Sequence, residues 1–115
     1  MRARLQGDRV IIICPACRDV EISRGYTDPA DGGVAGEHAV PFSGERAWSF
    51  NGDLARPTLS PSLLLTYTHV GADKFVCHSF VRAGRIEYLP DCTHPFAGQT
   101  VDLPEWPFQP ASPED

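Results

Sequence analysis

Apolar side chains occur along this chain in short runs, and the pattern within each run is typical of β-strands. Residues 9–14 form a continuous β-branched run that predicts a buried strand, while residues 19–23 alternate apolar and polar side chains as a half-buried strand does. Further strands are predicted over residues 38–42, 47–51, 62–68, 74–81, 85–89 and 100–103. The pattern therefore indicates an all-β (β-rich) fold, a small antiparallel sheet built from hairpins.

Glycine and proline mark the connections between these strands. Gly84 suits the left-handed conformation that a short hairpin loop requires between residues 74–81 and 85–89. Residues 26–37 are rich in glycine and proline without any periodicity, which predicts a loop. Residues 104–115 form a Pro-rich C-terminal tail, which is expected to cover a sheet edge through its aromatic side chains.

Length and charge narrow the class of protein. A chain of 115 residues is expected to form a single domain, residues 1–115. Its net charge of −5 argues against a protein that binds nucleic acid through the phosphates, because that binding depends on lysine and arginine. The longest apolar run, residues 10–14, is far too short to span a bilayer. We therefore expect no nucleic-acid and no membrane partner.

The four cysteines are the most specific chemical feature. Cys14 and Cys17 form a Cys-Pro-Ala-Cys turn, whereas Cys77 and Cys92 lie at the two ends of the predicted hairpin. A turn of this kind directs two sulfur atoms at one point, as tetrahedral Zn²⁺ requires. The interpretation is a zinc-ribbon-like knuckle held by Cys14, Cys17, Cys77 and Cys92. Four protein ligands leave no open position, so the Zn²⁺ is predicted to be structural.

Alternatives to this ligand set stay open on the residues alone. His94 or His38 is an alternative to Cys92 as the fourth ligand, and Cys77 and Cys92 are otherwise small buried apolar residues. Two disulfides are a further alternative. Residues 1–8 lack the apolar core of a signal peptide, so we expect a reducing, cytoplasmic location in which thiolates bind metal.

A serine and a histidine on neighbouring predicted strands suggest nucleophilic catalysis. Ser62 becomes a nucleophile if the His78 imidazole takes its proton, and Asp91 at the hairpin end is a candidate for orienting that imidazole. A loop over residues 68–72 would set Ser62 opposite His78, while a tight turn at residues 71–73 would move it by roughly 13 Å. Weaker alternatives are Ser60 or Ser79 as the nucleophile and His94 as the base. A purely structural role for Asp91 is capping of its own turn.

Several segments resemble a known family of short bacterial and phage proteins that is classed as a domain of unknown function. These segments are residues 48–54, 56–62, 77–86 and 91–104, together with the Cys-Pro-x-Cys turn. Some relatives are encoded beside bacterial ubiquitin-like conjugation systems and are regarded as serine peptidases that process the modifier's C terminus. The resemblance implies a nucleophile at Ser62, a base at His78 and a cysteine knuckle at Cys14 and Cys17. The chain departs from that branch in its longer loop between Ser62 and His78, in a knuckle with fewer cysteines, and in an added Asp-Cys-Thr-His element.

The resulting hypothesis is a serine-type peptidase or isopeptidase with a structural zinc, deubiquitinase-like in its action. Its substrate would be a protein, a ubiquitin-like modifier processed at its C terminus or removed from conjugates. Main-chain N–H groups near residues 60–62 would stabilise the oxyanion, although Pro61 has no N–H. The alternative from another class is a non-catalytic, zinc-stabilised binding module of a phage or prophage.

Overall fold

The computed structural model of the chain describes residues 1–23, 35–67 and 74–105. Its strands form two antiparallel sheets within these ranges, one in the order β1-β2-β3 and the other in the order β4-β5-β6-β7-β8. The elements are β1 (Ala3–Gln6), β2 (Arg9–Ile13), α1 (Pro15–Ser23), β3 (Glu37–Pro41), β4 (Ser49–Phe50), β5 (Leu59–Tyr67), β6 (Phe75–Arg82), β7 (Arg85–Tyr88) and β8 (Thr100–Asp102). The predicted β-rich, antiparallel architecture is confirmed.

Most predicted strands are observed with small changes at their ends. The predicted strands at residues 9–14, 38–42, 62–68, 74–81, 85–89 and 100–103 correspond to β2, β3, β5, β6, β7 and β8. Of the strand predicted at residues 47–51, only the two residues of β4 are observed as a strand. The predicted loops at residues 26–37 and 68–72 lie mostly or wholly outside the described residues, as does the tail at 104–115 beyond Glu105.

The segment at residues 19–23 is helical, so the predicted strand there is wrong. Pro15 occupies the first position of α1, where its fixed φ suits a helix and its missing N–H is not needed. The Cys14 sulfur accepts a hydrogen bond from the Cys17 N–H at 3.4 Å, and the Arg18 N–H donates to the Cys14 carbonyl at 2.9 Å. The cysteine turn therefore starts a helix, and five alternating residues are too few to indicate a strand against it.

Gly36 allows β3 to return close to the start of this helix. A Cβ atom at Gly36 would lie 2.7 Å from the Arg18 nitrogen and 2.8 Å from the Cys14 carbonyl oxygen, and the φ angle there is +85°. Side chains other than glycine are excluded by both contacts. The Gly36 carbonyl in turn accepts a hydrogen bond from the Cys14 N–H at 2.9 Å.

A tight hairpin joins β6 to β7 in the second sheet. Arg82 pairs with Arg85, which leaves Ala83 and Gly84 as a two-residue loop with φ angles of 49° and 80°. Two successive positive φ angles define the type I′ turn that suits the twist of a hairpin.

Strand β5 is irregular near its start. Its pairing with β6 shifts between Leu59 and Leu63, and the Ser60–Pro61 peptide bond is cis.

The two sheets share one apolar core. Its members include Val10 and Ile12 from β2, together with Leu59 from β5 and Ile86 from β7. The Arg2 and Ala3 N–H groups also donate to the Leu54 carbonyl at 3.0 and 3.1 Å, which ties the N-terminal hairpin to the segment that precedes β5. No helix among the described residues has the length and apolar character needed to cross a lipid bilayer.

Leu59 and Leu64 allow a direct test of where this core lies. Both belong to β5, but Leu59 is 2% exposed and Leu64 is 62% exposed. Replacing Leu59 with Ala should lower the free energy of unfolding by about 2–5 kcal/mol, because it leaves a cavity in the core. Leu64→Ala should change it by less than about 0.5 kcal/mol. Urea denaturation of the two variants measures both values, and equal losses would contradict this core.

Candidate functional site

Three side chains predicted to act together form a continuous chain of hydrogen bonds. The Ser62 Oγ lies 3.1 Å from the His78 Nε2. The His78 Nδ1 lies 3.0 Å from Asp91 Oδ2 and 3.3 Å from Asp91 Oδ1. Both distances are within the range over which an imidazole exchanges a proton with a hydroxyl and is oriented by a carboxylate. This geometry suits a nucleophilic serine, a general base and an orienting group.

A bulge in β5 determines where Ser62 lies relative to His78. The pairing of Leu59 with Val81 belongs to the register that would set Ser62 directly opposite His78. Between Leu59 and Leu63, however, β5 advances four residues while β6 advances two, so Leu64 is the residue opposite His78. Ser62 lies within this irregular segment, and bulges commonly redirect a side chain in this way.

Trp48 fixes the main chain at the serine. Its indole Nε1 donates to the Pro61 carbonyl at 3.0 Å and lies 3.4 Å from the Ser62 carbonyl. These contacts hold two successive peptide units on the side of β5 away from β6. The position of the Ser62 hydroxyl is therefore set by β6 on one side and by Trp48 on the other.

The turn after β7 holds Asp91 beside His78, because the turn is hydrogen-bonded to the main chain of β6. The Leu89 N–H donates to the His78 carbonyl at 2.9 Å, and Thr93 exchanges hydrogen bonds with the main chain of Val76. Between them, the Cys92 sulfur accepts from the His78 N–H and donates to the His78 carbonyl, both at 3.2 Å. The turn thus continues the sheet and holds the Asp91 carboxylate beside the imidazole.

The other predicted nucleophiles and bases lie elsewhere. Ser79 is 2% exposed and points to the opposite face of β6 from His78, as neighbours on a strand do. Ser60 pairs with Ser49 of β4. His94 is 6% exposed, and its ring packs edge-on against Tyr88 with the centroids 4.6 Å apart. Of the hydroxyls in the described ranges, the one bonded to His78 is that of Ser62.

A buried cluster of sulfur atoms lies on the other face of β6. The Sγ atoms of Cys14, Cys17 and Cys77 are all within 4.8 Å of one another, so these residues can hold a metal ion. The Cys14 and Cys77 sulfurs are 3.7 Å apart, far beyond a disulfide bond. Two thiolates on one tetrahedral Zn²⁺ would be separated by roughly 3.8 Å, given a Zn–S bond of about 2.3 Å. The spacing therefore fits a metal site.

The hydrogen bonds among the three cysteines, and the directions of their pKa shifts, also fit a metal site. Hydrogen bonds from Cys17 and Cys77 lower the pKa of Cys14, although burial acts in the opposite direction. The hydrogen bond to Cys14 raises the pKa of both Cys17 and Cys77. The Tyr88 hydroxyl accepts from the Ala16 N–H and lies 3.2 Å from the Cys14 sulfur, to which it can donate. These hydrogen bonds favour the ionised form of Cys14, and a divalent cation would stabilise all three sulfurs as thiolates.

Cys92, His94 and His38 were the predicted alternatives for the fourth metal ligand, and the structure gives each of them different surroundings. The Cys92 thiol is bonded to the main chain of His78 and is not part of the sulfur group. The His94 Nδ1 accepts from the Phe96 N–H, so in the neutral ring its Nε2 carries the proton and has no lone pair for a metal. His38 is close enough to Cys14 to help lower its pKa, after the hydrogen bonds from Cys17 and Cys77, but its ring nitrogens are not within 4.8 Å of all three sulfurs.

The family comparison agrees with this geometry. Residues 31–89 match the model of the bacterial ubiquitination-like system serine protease family, BubE, over just more than half of the chain. The chain belongs to this family. No curated protein and no solved structure gives a significant match.

The match to BubE covers part of the candidate site. Ser62, His78 and Cys77 lie within the matched residues, whereas Cys14, Cys17 and Asp91 lie outside them. Two contributors were not singled out in the sequence: Trp48, which donates to the Pro61 carbonyl and lies near the Ser62 carbonyl, and Tyr88, which contacts the cysteine cluster. The signal in both was an N–H or O–H group on an aromatic ring, since such groups usually find a hydrogen-bond partner.

Cysteine variants test which sulfurs bind metal. Cys17→Ser should abolish stoichiometric metal binding and lower stability by several kcal/mol, because a ligand of a structural site is lost. Cys92→Ser should retain the metal, since a hydroxyl can keep both hydrogen bonds to the His78 main chain. Elemental analysis of the purified variants gives the metal content. A folded Cys92→Ser protein without metal would place Cys92 in the ligand set.

Proposed function

We propose that this BubE-family chain is a serine peptidase or isopeptidase that releases a ubiquitin-like modifier at its C terminus, from a precursor or from conjugates. The hydrogen-bond chain from Ser62 through His78 to Asp91 carries the proposal, because it combines a nucleophile, a base and an orienting carboxylate. Membership of a family described as serine proteases of a bacterial ubiquitination-like system supports the class of substrate.

The reaction follows from the positions of the two ring nitrogens. The Ser62 Oγ attacks the carbonyl carbon while His78 Nε2 accepts the hydroxyl proton. The C–N bond then breaks, and the imidazolium gives its proton to the leaving amine. Water, deprotonated by the same nitrogen, attacks the Ser62 ester; the C–Oγ bond breaks, the imidazolium returns its proton to the Ser62 Oγ, and the acyl product is released as a carboxylate. Asp91 accepts the Nδ1–H throughout, which keeps Nε2 free to act as the base.

The oxyanion needs donors near the reacting carbon. The Ser62 N–H is a suitable donor because Ser62 lies in the bulge, outside the assigned pairing of β5 with β6. Pro61 cannot contribute, since it has no N–H. The Asp91 side chain is 58% exposed and that of His78 is 26% exposed, so bound substrate must exclude water from the imidazole.

The metal in this proposal is a structural Zn²⁺ held by Cys14, Cys17, Cys77 and His38. His38 pairs with Ile12, two residues before Cys14, which places His38 on the same face of the sheet as Cys14 at the end of β2. Three thiolates and one imidazole form a closed set of ligands, and the ion would serve as a Lewis-acid cross-link between the sheets. The peptidase residues lie on the opposite face of β6.

Replacing the nucleophile gives the first test of this function. Ser62→Ala should abolish cleavage of a ubiquitin-like fusion protein, while metal content and the unfolding midpoint stay unchanged. The wild type should also react with a fluorophosphonate probe at Ser62. Ser60→Ala is the matched control and should keep both properties, because its hydroxyl is exposed on the β4 side. Equal cleavage by wild type and Ser62→Ala, without labelling, would leave a non-catalytic binding module.

Asp91 gives a second test that separates orientation from nucleophilic attack. Asp91→Asn keeps the shape of the side chain but can favour the wrong tautomer of His78. Because Asp91 is largely exposed, water replaces part of its effect, and kcat should fall by about 10- to 100-fold rather than to zero. KM should change little. A variant as active as the wild type would limit Asp91 to a role within its own turn.

A further inference from the structure

A groove of about 140 Å³ lies between the two sheets, directly beside Ser62. One wall is formed by β3 residues 38–41 and the other by β5 residues 63–65, with Trp48 also lining the space. The side chains of consecutive strand residues point to opposite faces of the sheet. A groove that contacts several consecutive residues must therefore run along the edge of the strand, and this holds for both β3 and β5. Its walls are therefore main chain as well as apolar side chain.

Both edges are open over part of their length in the residues that the structure describes. The first sheet ends at β3, whose assigned partner is β2, and beyond residue 40 the Pro41 carbonyl accepts a hydrogen bond from the Trp48 N–H at 2.8 Å. On the β4 side, β5 is paired only at Leu59 and Ser60, and residues 63–67 are paired on the β6 side alone. Unpaired strand edges present N–H and C=O groups to another extended chain.

The groove begins at the residue that follows Ser62. Leu63 lines it and follows Ser62 in sequence, and Trp48 both lines it and lies within 3.4 Å of the Ser62 carbonyl. Leu64 lies opposite His78 on the same face of the sheet and is 62% exposed. Its side chain is therefore accessible to a bound peptide.

We propose that this groove binds the acyl-side segment of the substrate as an extended strand, with one apolar side chain in the cavity. The inference rests on the proposed function. In an isopeptide bond the leaving side is a lysine side chain, whereas the acyl side is always a linear peptide, and only a linear peptide can pair with strand edges. A cavity of about 150 Å³ holds benzene, so this groove has room for a leucine or phenylalanine side chain.

Peptides with a fluorogenic leaving group test the groove, because they carry residues on the acyl side only. A set of acetylated tetrapeptide aminocoumarin amides, varied one position at a time, should show a preference for Leu, Met or Phe at one position. For the preferred peptide, Leu64→Asp and Ala39→Trp should lower kcat/KM by about tenfold or more, through lost contact or a filled groove. For the peptide with Ala at that position the loss should be smaller. Leu5→Asp is the matched control, since Leu5 is 52% exposed on β1, at the other edge of the first sheet.

Two further measurements keep the groove separate from the chemistry. Fluorophosphonate labelling of Ala39→Trp should match the wild type, because Ala39 belongs to β3 of the other sheet and the small probe needs only the serine and its base. Normal labelling together with unchanged peptide selectivity in both groove variants would overturn the groove and leave the peptidase. If the wild type neither labels nor cleaves, the groove is tested by binding alone. Fluorescence polarisation then measures the binding of dye-labelled tetrapeptide acids to the Ser62→Ala protein. Binding that Ala39→Trp removes would support the groove, and no binding, or blockage by self-association seen in sedimentation, would overturn it.

Discussion

The alternation of side chains along β6 is the constraint on which both candidate sites depend. Cys77 and His78 are neighbours on this strand, so one points to the buried sulfur cluster and the other to Ser62. A shift of β6 by one residue against β5 would exchange the two faces and destroy both sites together. The turn that carries Asp91 is also bonded to β6, at Val76 and His78. The geometry of the reacting groups is thus a consequence of how one strand is held.

The sulfur cluster holds that strand by joining the two sheets. Cys14 follows β2 of the first sheet and Cys77 belongs to β6 of the second. The Tyr88 hydroxyl adds a contact from β7 to both Cys14 and Ala16, and burial raises the pKa of this tyrosine, which keeps it a donor. A small domain with a limited core benefits from such contacts between its two sheets. Because Cys77 and His78 are joined by one peptide unit, contacts that fix Cys77 also restrict the movement of His78. The stability of the fold and the orientation of the His78 imidazole are therefore linked.

Much of this arrangement could be predicted from local patterns, and the failures have physical causes. The strands around the hairpin were clear because β-branched and aromatic residues alternate up to a glycine turn, and the cysteine turn was clear because its spacing serves one chemistry. The helix after Cys14 was missed because hydrogen bonds of the turn, which the pattern does not contain, decide its start. β1 was missed because its alternation spans only four residues, with Ala3 as the one buried side chain and Leu5 exposed, which is too weak a pattern to indicate a strand. The distance from Ser62 to His78 could not be predicted, since it depends on two extra residues taken up by a bulge.

The openness of the site gives a reason for its position at the edge of a sheet. His78 and Asp91 are both partly exposed, and a base in contact with water is a weak catalyst until the water is displaced. An enzyme with a deep pocket displaces water with its own walls, but the described part of this chain offers a shallow groove and two open strand edges. A bound strand would supply the missing wall, because its main chain would cover the imidazole as it pairs. The same pairing would align the carbonyl carbon with the Ser62 hydroxyl. Substrate binding and completion of the active site would then be one event, which favours substrates with an extended, unstructured end over folded loops.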